Sequence, residues 1–226
     1  MKAKLIGHTQ PVKYAVDELE HGLKNIEDMI AYCAKVSNPQ GQMNLASSEK
    51  LLNYLIKNKH WSPFEMASAT IEVETTRDIA RQFLRHRSFS FQEFSQRYAD
   101  PEAMENTFVI REARLQDPSN RQNSIDCDDE ELKKAWRIKQ QMIIHETKIA
   151  YKWAVDNGIA KEQARAVLPE GNTVSRLYAN GTIRSWIHYV ELRSGHGTQK
   201  EHMELAREIG MAVSRIFPMI TQYINK

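Results

Sequence analysis

The segment from Asp128 to Asn157 constrains the fold more than any other part of the sequence, because it predicts one uninterrupted helix. Asp128 and Glu131 form a predicted capping box at its start, and Gly158 stands where the helix is expected to stop. At a rise of about 1.5 Å per residue, this helix would be about 45 Å long. A helix of that length is long for one domain, so its apolar residues need a partner surface.

The apolar residues of this helix recur at seven-residue and at three- or four-residue steps. They are Leu132, Trp136, Ile143, Ala150 and Trp153. Such spacing permits a seam against a partner helix. Plain packing against the core of the same chain is the simpler interpretation, and it is the one favoured by the sequence.

Shorter helices and strands are predicted on both sides of the long helix. The predicted helices are Val16 to Val36, Ser47 or Ser48 to Ile56, Arg77 to about His86, Thr182 to Arg193 and Thr198 to Phe217. The predicted strands or extended segments are Ala67 to Glu74, Phe94 to Tyr98, Thr107 to Arg111 and Thr173 to Tyr178. Because strands and helices do not alternate regularly, an α+β fold is favoured over a doubly wound sheet.

The composition is that of one globular domain. With 226 residues, the chain stays below the size of about 250 residues at which single cores tend to split, so we expect one domain spanning 1–226. Its 41% hydrophobic and 27% charged residues can build a core and are not typical of disorder. No apolar run approaches the roughly 20 residues that cross a bilayer, and the opening MKAKLIGHTQ lacks a secretory apolar region. We therefore expect a cytoplasmic protein with no membrane partner.

The charge balance and the cysteines exclude further classes. Lysine and arginine number 31 against 29 acidic residues, and a net charge of +2 is too small for a protein that lives on nucleic-acid phosphates. We expect no nucleic-acid partner and only a local anion site. Cys33 and Cys127 form no CxxC pair and are expected to be reduced. His145, His196 and His202 lack metal-ligand spacing, so they are expected to be structural or solvent-facing, and no metal site is predicted.

A stripe of arginines is the first sign of a binding site. Arg77, Arg81 and Arg85 lie four residues apart, so on a helix they share one side and are expected to face water or a ligand. Gln82 lies about 60° from Arg85 on the same helix. The basic residues continue to Arg97 in a segment that interleaves three phenylalanines with polar residues. Arginine suits bidentate recognition of phosphates and carbonyls, and apolar walls beside such donors indicate a nucleotide or flavin site. A solvated basic surface remains the simpler alternative.

The same segment resembles a known signature. Arg85-His86-Arg87 is followed after seven residues by Ser95, with Glu93 and Arg97 around that serine. This order is similar to the signature of the flavin-dependent thymidylate synthases. The resemblance extends to HWSPFE upstream, to Arg81-Gln82, to QARAVLP downstream and to the helix that carries Arg184 and Arg193.

The resemblance implies a fold, a reaction and an assembly. The implied fold is an α+β domain with a central antiparallel sheet flanked by helices, and the implied assembly is a homotetramer whose active sites lie between subunits. The implied reaction converts dUMP to dTMP with methylenetetrahydrofolate as carbon donor and FAD, reduced by NADPH, as electron carrier. Reducing a methylene to a methyl group needs a two-electron carrier, and side chains cannot supply one.

The resemblance also assigns site residues. The FAD site is implied at Ser62, Arg85, His86, Arg87, Glu93, Thr182, Arg184 and His188. The dUMP site is implied at Gln82, Arg85, Glu93, Phe94, Ser95, Gln96, Arg97, Arg165 and Arg193. Arg193 is the implied catalytic residue, because it would stabilise negative charge on the uracil ring and so activate C5. No motif for folate or NADPH is evident.

Two positions depart from the family pattern, and two other functions stay open. Thr182 stands where relatives usually carry Asn, and Met66 where they often carry His. Threonine lacks the second donor of an amide, so FAD affinity is the property that these departures affect. The alternatives are a nucleic-acid-binding module that uses the arginines and phenylalanines, and a flavoprotein that acts on another nucleotide.

Overall fold

A four-stranded antiparallel sheet forms the centre of the protein. The computed structural model describes residues 1–12, 22–98, 107–195 and 197–224. The sheet consists of β1 (Lys2–His8), β2 (Ser68–Thr76), β3 (Phe89–Glu93) and β6 (Val174–Thr182), in the order β1, β2, β6, β3. A separate hairpin pairs β4 (Arg114–Gln116) with β5 (Ser124–Asp126). The predicted α+β fold with an antiparallel sheet is confirmed.

Seven α-helices surround the sheet in the described parts of the chain. They are α1 (Ile26–Ala34), α2 (Ser48–Lys57), α3 (Arg77–Phe83), α4 (Glu130–Asp156), α5 (Lys161–Ala164), α6 (Ile183–Arg193) and α7 (Lys200–Ser214). Helices α6 and α7 share one continuous core with the sheet, which includes the fully buried Ile71, Leu177, Trp186, Ile187 and Leu205. None of the described helices is both long and apolar enough to span a membrane.

Strand β2 forms because its side chains alternate between two environments. Ala69, Ile71 and Val73 are fully buried, whereas Thr70 and Glu72 are partly exposed on the other face. The indole Nε1 of Trp186 also donates to the carbonyl of Ala69 at 3.2 Å, which ties α6 to the strand. The strand predicted here and the extended segment predicted at 173–178, now part of β6, are confirmed.

Strand β3 precedes the extended segment that was predicted at 94–98. Phe89 and Phe91 pack against Phe83, with ring centroids 5.8 and 5.1 Å apart. Phe89 also covers Gly181, where a Cβ atom would lie 2.4 Å from the ring. The prediction was wrong because burial of the two phenylalanines determines which residues pair, and the chain turns directly afterwards at Ser95.

The segment 107–111 was predicted as a strand and makes only one isolated bridge, between Phe108 and Thr173, within the described residues. The side chain of Gln140 on α4 occupies the backbone groups of Arg111 instead. Its Oε1 accepts from the Arg111 N–H at 2.8 Å, and its Nε2 donates to the Arg111 carbonyl at 2.8 Å. A side chain therefore replaces the neighbouring strand, and the strand prediction was wrong.

The predicted helix boundaries need small corrections. Helix α3 ends at Phe83, before Arg85, because the following residues turn towards β3. Helix α4 is capped by Asp129, whose side chain accepts from the Leu132 N–H at 2.9 Å, and not by Asp128. Gly158 has a φ of +78° just beyond its end, as the predicted stop requires. Of the predicted first helix, residues 16–21 lie outside the described residues, and α1 begins only after the cap at Asn25.

Most of the apolar residues that predicted a packed face on α4 are exposed in the structure. Trp136, Ile143 and Trp153 are 42%, 51% and 61% exposed, and Leu132 is also exposed. The buried side of the helix carries other residues, among them Gln140 and Tyr151. The interpretation of these residues as plain core packing was therefore wrong, and the interpretation as a seam against a partner helix stays a prediction.

Candidate active site

The C-terminal ends of α3 and α6 meet on one side of the sheet. Tyr189 of α6 is buried there, and its ring lies 4.8 Å from the ring of Phe83 and 5.0 Å from that of His86. His86 follows shortly after the end of α3, and Arg193 is the last residue of α6. The polar side chains at these two helix ends therefore lie next to the aromatic rings. The predicted site residues Gln82, His86 and Arg193 all lie at this junction.

Arg193 and His86 form the polar pair of this junction. The Nε of Arg193 donates to Nε2 of His86 at 3.1 Å. Burial and the positive charges of Arg193 and Arg85 lower the pKa of His86 to about 4. His86 is thus neutral near pH 7 and accepts from Arg193, and neither terminal nitrogen of the guanidinium has an acceptor among the described residues. Sequence reasoning assigned these two residues to different ligands, and the structure brings them into contact.

His202 lies beneath this pair and is fully buried. Its Nδ1 is 3.2 Å from Oε1 of Gln82, and its Nε2 is 3.1 Å from the hydroxyl of Tyr189. Burial, with the charges of Arg193 and His86, lowers its pKa to about 3. Its buried position agrees with the structural role expected for it, while His145 is exposed and His196 lies outside the described residues.

Two arginines of the predicted dUMP site, and Arg81 of α3, lie next to glutamates. Arg97 NH2 lies 3.6 Å from Glu162 Oε2, and Arg165 Nε donates to the Glu162 carbonyl at 3.2 Å. Arg81 Nε lies 3.5 Å from Glu170. Two of the predicted dUMP residues, Arg97 and Arg165, are therefore brought together. Glu162 and Glu170, the carboxylate partners of Arg97 and Arg81, are about half exposed, so an arriving phosphate could compete for these two arginines.

Arg77, predicted to face water or a ligand, is instead buried at 8% exposure. Its NH1 lies 3.5 Å from Oε1 of Glu93, and the same oxygen accepts from Ser175 Oγ at 2.9 Å. Arg77 is the first residue of α3, directly after β2, and its side chain turns to Glu93 of β3 and not to solvent. These two contacts hold the carboxylate of Glu93 in place.

The turn after β3 holds the next predicted residues. The Phe94 N–H donates to the Arg176 carbonyl at 2.8 Å, and Ser95 Oγ accepts from the Arg97 N–H at 3.4 Å. Gln96 is 3% exposed, and its buried Nε2 has no hydrogen-bond acceptor in the described structure. A buried amide without a partner is costly, so this donor fits a site that a ligand completes.

The remaining predicted FAD residues lie on the outer side of α6. The turn Ser62–Glu65 packs there: the Trp61 ring lies 4.6 Å from that of His188, and Arg184 pairs with Glu65. Thr182 caps α6 by accepting from the Ser185 N–H at 3.2 Å. Met66 is exposed beside this turn.

The predicted FAD residues thus form two sets. Ser62, Thr182, Arg184 and His188 form one set, and Arg85, His86, Arg87 and Glu93 form the other. Within the ranges that the structure describes, no hydrogen bond, ion pair or ring contact joins the two sets.

Sequence reasoning missed an ionic network beside the junction. Arg111 NH2 donates to both carboxylate oxygens of Asp78, at 2.7 and 2.9 Å, and its NH1 lies 3.1 Å from Glu201. Arg114 also pairs with Glu201. A cavity of about 680 Å³ opens beside these groups, lined also by Trp136 and other residues of the hairpin and α4. These residues lie far apart in the sequence and carry no motif, so only the fold could reveal them.

Comparison with known proteins identifies the family. Residues 18–219 match the family described as "Thymidylate synthase complementing protein". The chain belongs to this family. It is 45% identical over 225 residues to the "Probable flavin-dependent thymidylate synthase" of Paramecium bursaria Chlorella virus 1, covering 100% of this chain and 99% of that protein. It is 50% identical over 191 residues to the "Flavin-dependent thymidylate synthase" of Synechocystis sp., covering 84% of each.

Solved structures agree with this membership. A UMP/dUMP methylase, PolB from Streptomyces cacaoi, crystallised with 5-Br dUMP, superposes with a TM-score of 0.77 at 25% identity, covering 98% of this chain and 93% of that one. The family resemblance stated from the signature around Arg85 and Ser95 is therefore confirmed. The roles of individual residues in this member of the family stay predictions.

The buried histidine of this family member predicts acid sensitivity. Because the pKa of His202 is about 3 in the folded chain and about 6.5 when unfolded, the unfolded chain takes up the proton first. The stability from neutral His202 is present above about pH 6.5 and is lost as the pH falls towards 3. Between pH 6.5 and 5, we expect wild type to lose on the order of 1–2 kcal/mol more than His202→Gln, which keeps an N–H donor without titrating.

Urea unfolding at each pH measures this difference in the free energy of unfolding. The exposed His145→Gln is the matched control and should follow wild type. Parallel curves for wild type and His202→Gln would contradict the prediction.

Proposed function

We propose that this protein is a flavin-dependent thymidylate synthase, which converts dUMP to dTMP with methylenetetrahydrofolate as carbon donor and FAD, reduced by NADPH, as electron carrier. The observation that carries the proposal is the full-length similarity, at 45% identity, to a relative named for this activity. The likeness to a UMP/dUMP methylase at 25% identity supports a pyrimidine nucleotide as substrate.

The donor set of the chain fits FAD. Arg85 and Arg87 are exposed beside His86, and Arg184 lies beside the Trp61–His188 ring pair. Guanidinium groups suit the flavin diphosphate, and aromatic edges suit its apolar ring system. When bound, FAD supplies the two-electron reduction that no side chain can perform. Arg85, His86, Arg87 and Arg184 would hold it.

The arginines around Glu162 would bind the phosphate of dUMP. Arg97 and Arg165 already converge there, and Arg81 stands nearby on α3 with an exposed glutamate partner. A phosphate with up to two negative charges is a stronger partner for guanidinium groups than a half-exposed carboxylate. The partnerless Nε2 of Gln96 would add a donor from the adjoining turn.

Arg193 would act on the pyrimidine. Because its Nε is held by His86, its two terminal nitrogens can donate to the carbonyl edge of uracil. Fixed positive charge at that edge stabilises negative charge on the ring in the transition state, and so makes C5 more nucleophilic. The neutral imidazole of His86 orients the guanidinium without adding a competing charge.

The proposal includes a homotetramer with active sites between subunits. Two features support it: the two sets of FAD residues share no hydrogen bond, ion pair or ring contact within the described part of one chain, and α4 exposes large apolar residues such as Trp136, Ile143 and Trp153. Apolar faces of this kind are typical of protein interfaces. A second subunit could complete the ligand site while it covers α4.

The test measures the flavin absorbance of the purified protein and the formation of dTMP. Purified protein loaded with FAD should be yellow, bleach with NADPH without oxygen, and form dTMP when dUMP and methylenetetrahydrofolate are added. Reactions without folate, and with UMP in place of dUMP, are the controls. A colourless protein that binds oligonucleotides with steep salt dependence would favour a nucleic-acid-binding module. A yellow protein that methylates only another nucleotide would correct the substrate.

A further inference from the structure

A chain of hydrogen bonds runs from the buried Tyr189 to Glu201, a carboxylate of the ionic network. The Tyr189 hydroxyl lies 3.1 Å from His202 Nε2, and His202 Nδ1 lies 3.2 Å from Gln82 Oε1. Gln82 Nε2 donates to Gln199 Oε1 at 2.8 Å, and Gln199 Nε2 donates to Glu201 Oε2 at 2.9 Å. Four links therefore connect α6, α3 and the start of α7 through one amide of the candidate dUMP site.

The carboxylate at the end sets the direction of the whole chain. Burial raises the pKa of Glu201, but hydrogen bonds from Arg114 and its own backbone, with the charge of Arg111, outweigh burial and bring it to about 2. An ionised carboxylate only accepts, so Gln199 must turn its NH₂ group towards it. The Gln199 oxygen then faces Gln82, which can meet it only with its own NH₂ group.

The reverse orientation is excluded by the same chemistry. If Gln82 flipped its amide, its oxygen would face the oxygen of Gln199, and a flip of Gln199 would oppose its oxygen to Glu201 Oε2. In the permitted orientation, Gln82 Oε1 accepts from Nδ1–H of His202, whose Nε2 then accepts from Tyr189. The tyrosine hydroxyl can donate or accept, so this end imposes no direction.

One donor of Gln82 is left over. Its Nε2 carries two hydrogens, and only the one given to Gln199 has an acceptor in the described residues. Gln82 is half-buried at the junction, and it shares His202 with the His86 and Tyr189 rings. Gln82 thus belongs to the same junction as the Arg193–His86 pair, because His202 contacts both Gln82 and the His86 ring.

We propose that Gln199 and Glu201 are positioning residues that fix the amide of Gln82 as a hydrogen-bond donor to an oxygen of bound dUMP. This inference rests on the proposed function. The oxygen is either the 4-carbonyl of uracil or a phosphate oxygen, because both accept from the same N–H. If the fixed N–H faces the ring, it disfavours a ligand with an amino group in place of the 4-carbonyl. If it faces the phosphate, it adds no binding energy for a nucleoside without phosphate.

The test compares dUMP, dCMP and deoxyuridine by calorimetric titration of the FAD-loaded protein. Gln199→Met leaves the Glu201 ion pairs in place but frees Gln82, and Gln199 is exposed, so the variant should fold. It should weaken dUMP binding about tenfold. Gln82→Glu, which only accepts, should lose at least as much. Tyr189→Phe removes only the hydrogen bond that does not constrain the direction of the chain. Its affinity for dUMP should therefore stay within about threefold of wild type.

The three ligands show which oxygen of dUMP, the 4-carbonyl or a phosphate oxygen, accepts from Gln82. If the donor meets the 4-carbonyl, Gln199→Met narrows the affinity ratio of dUMP to dCMP; if it meets the phosphate, it narrows the ratio of dUMP to deoxyuridine. Unchanged ratios, or a Tyr189→Phe loss equal to that of Gln199→Met, would overturn the inference and leave a structural role only. Wild type that fails to bind dUMP would overturn the proposed function, and this inference with it.

Discussion

Arg193→Ala is expected to lower kcat/KM for dUMP about 100- to 1,000-fold, while the protein keeps its flavin. The residue is part of a fixed pair, since its Nε donates to His86 at 3.1 Å, and its other nitrogens carry the charge that the ring needs. Alanine removes the donors and the charge together. Steady-state dTMP formation gives the loss, and the flavin absorbance of the same sample reports bound FAD.

Two further substitutions make this result specific. Arg193→Lys keeps the charge but loses the planar fork, so its activity should fall between those of alanine and wild type. Arg215→Ala removes an arginine that is exposed beyond α7 and should leave the rate unchanged. Equal activity of Arg193→Ala and wild type would refute the assigned role, and loss of flavin in Arg193→Ala would move the residue to the cofactor site.

The parts of the fold that follow local rules could be predicted from the sequence. Strand β2 alternates buried and half-exposed residues, and α6 follows a threonine cap at residue 182, so period and capping were sufficient. The signature between Arg85 and Arg97 likewise marked the candidate site, because its residues are close in sequence. The structure brings Arg193 to it from more than a hundred residues away.

The parts that depend on distant partners could not be predicted. Gln140 replaces a strand neighbour for Arg111, and nothing near either residue indicates this pairing. Arg77 is buried against Glu93 of β3, although its spacing placed it on an arginine stripe. Gln199 and Glu201 have no motif, because their role depends on the hydrogen-bond partners that the fold supplies.

Helix α4 shows the same limit at the level of assembly. Its apolar spacing favoured packing in the core of one chain, while it also permitted a seam between chains. In the structure, Gln140 and Tyr151 mark the buried side, while Met142, Ile143 and Ile149 are more than half exposed. The apolar periodicity predicts that something packs against this side of α4. Only the tertiary structure shows that the described part of this chain does not.

Ile143→Asp is expected to convert the proposed tetramer into smaller species and to abolish most of the activity. Ile143 is 51% exposed and lines a shallow apolar groove with Met142, Ala150 and Val167. In an interface, the new carboxylate would be buried without a partner, which costs several kcal/mol, whereas in a monomer it would face water at little cost. Folding should therefore survive while association fails.

The control uses the same helix and the same new charge. Gln141→Asp adds a carboxylate at an exposed position about 160° around α4 from Ile143, and it should leave mass and activity as in wild type. Light scattering coupled to size exclusion gives the mass, and dUMP turnover gives the activity. If both variants kept the wild-type mass, the exposed face of α4 would not be the interface. If Ile143→Asp dissociated but kept full turnover, the active site would be complete within one chain, and the two sets of FAD residues would have to close around the cofactor without a second subunit.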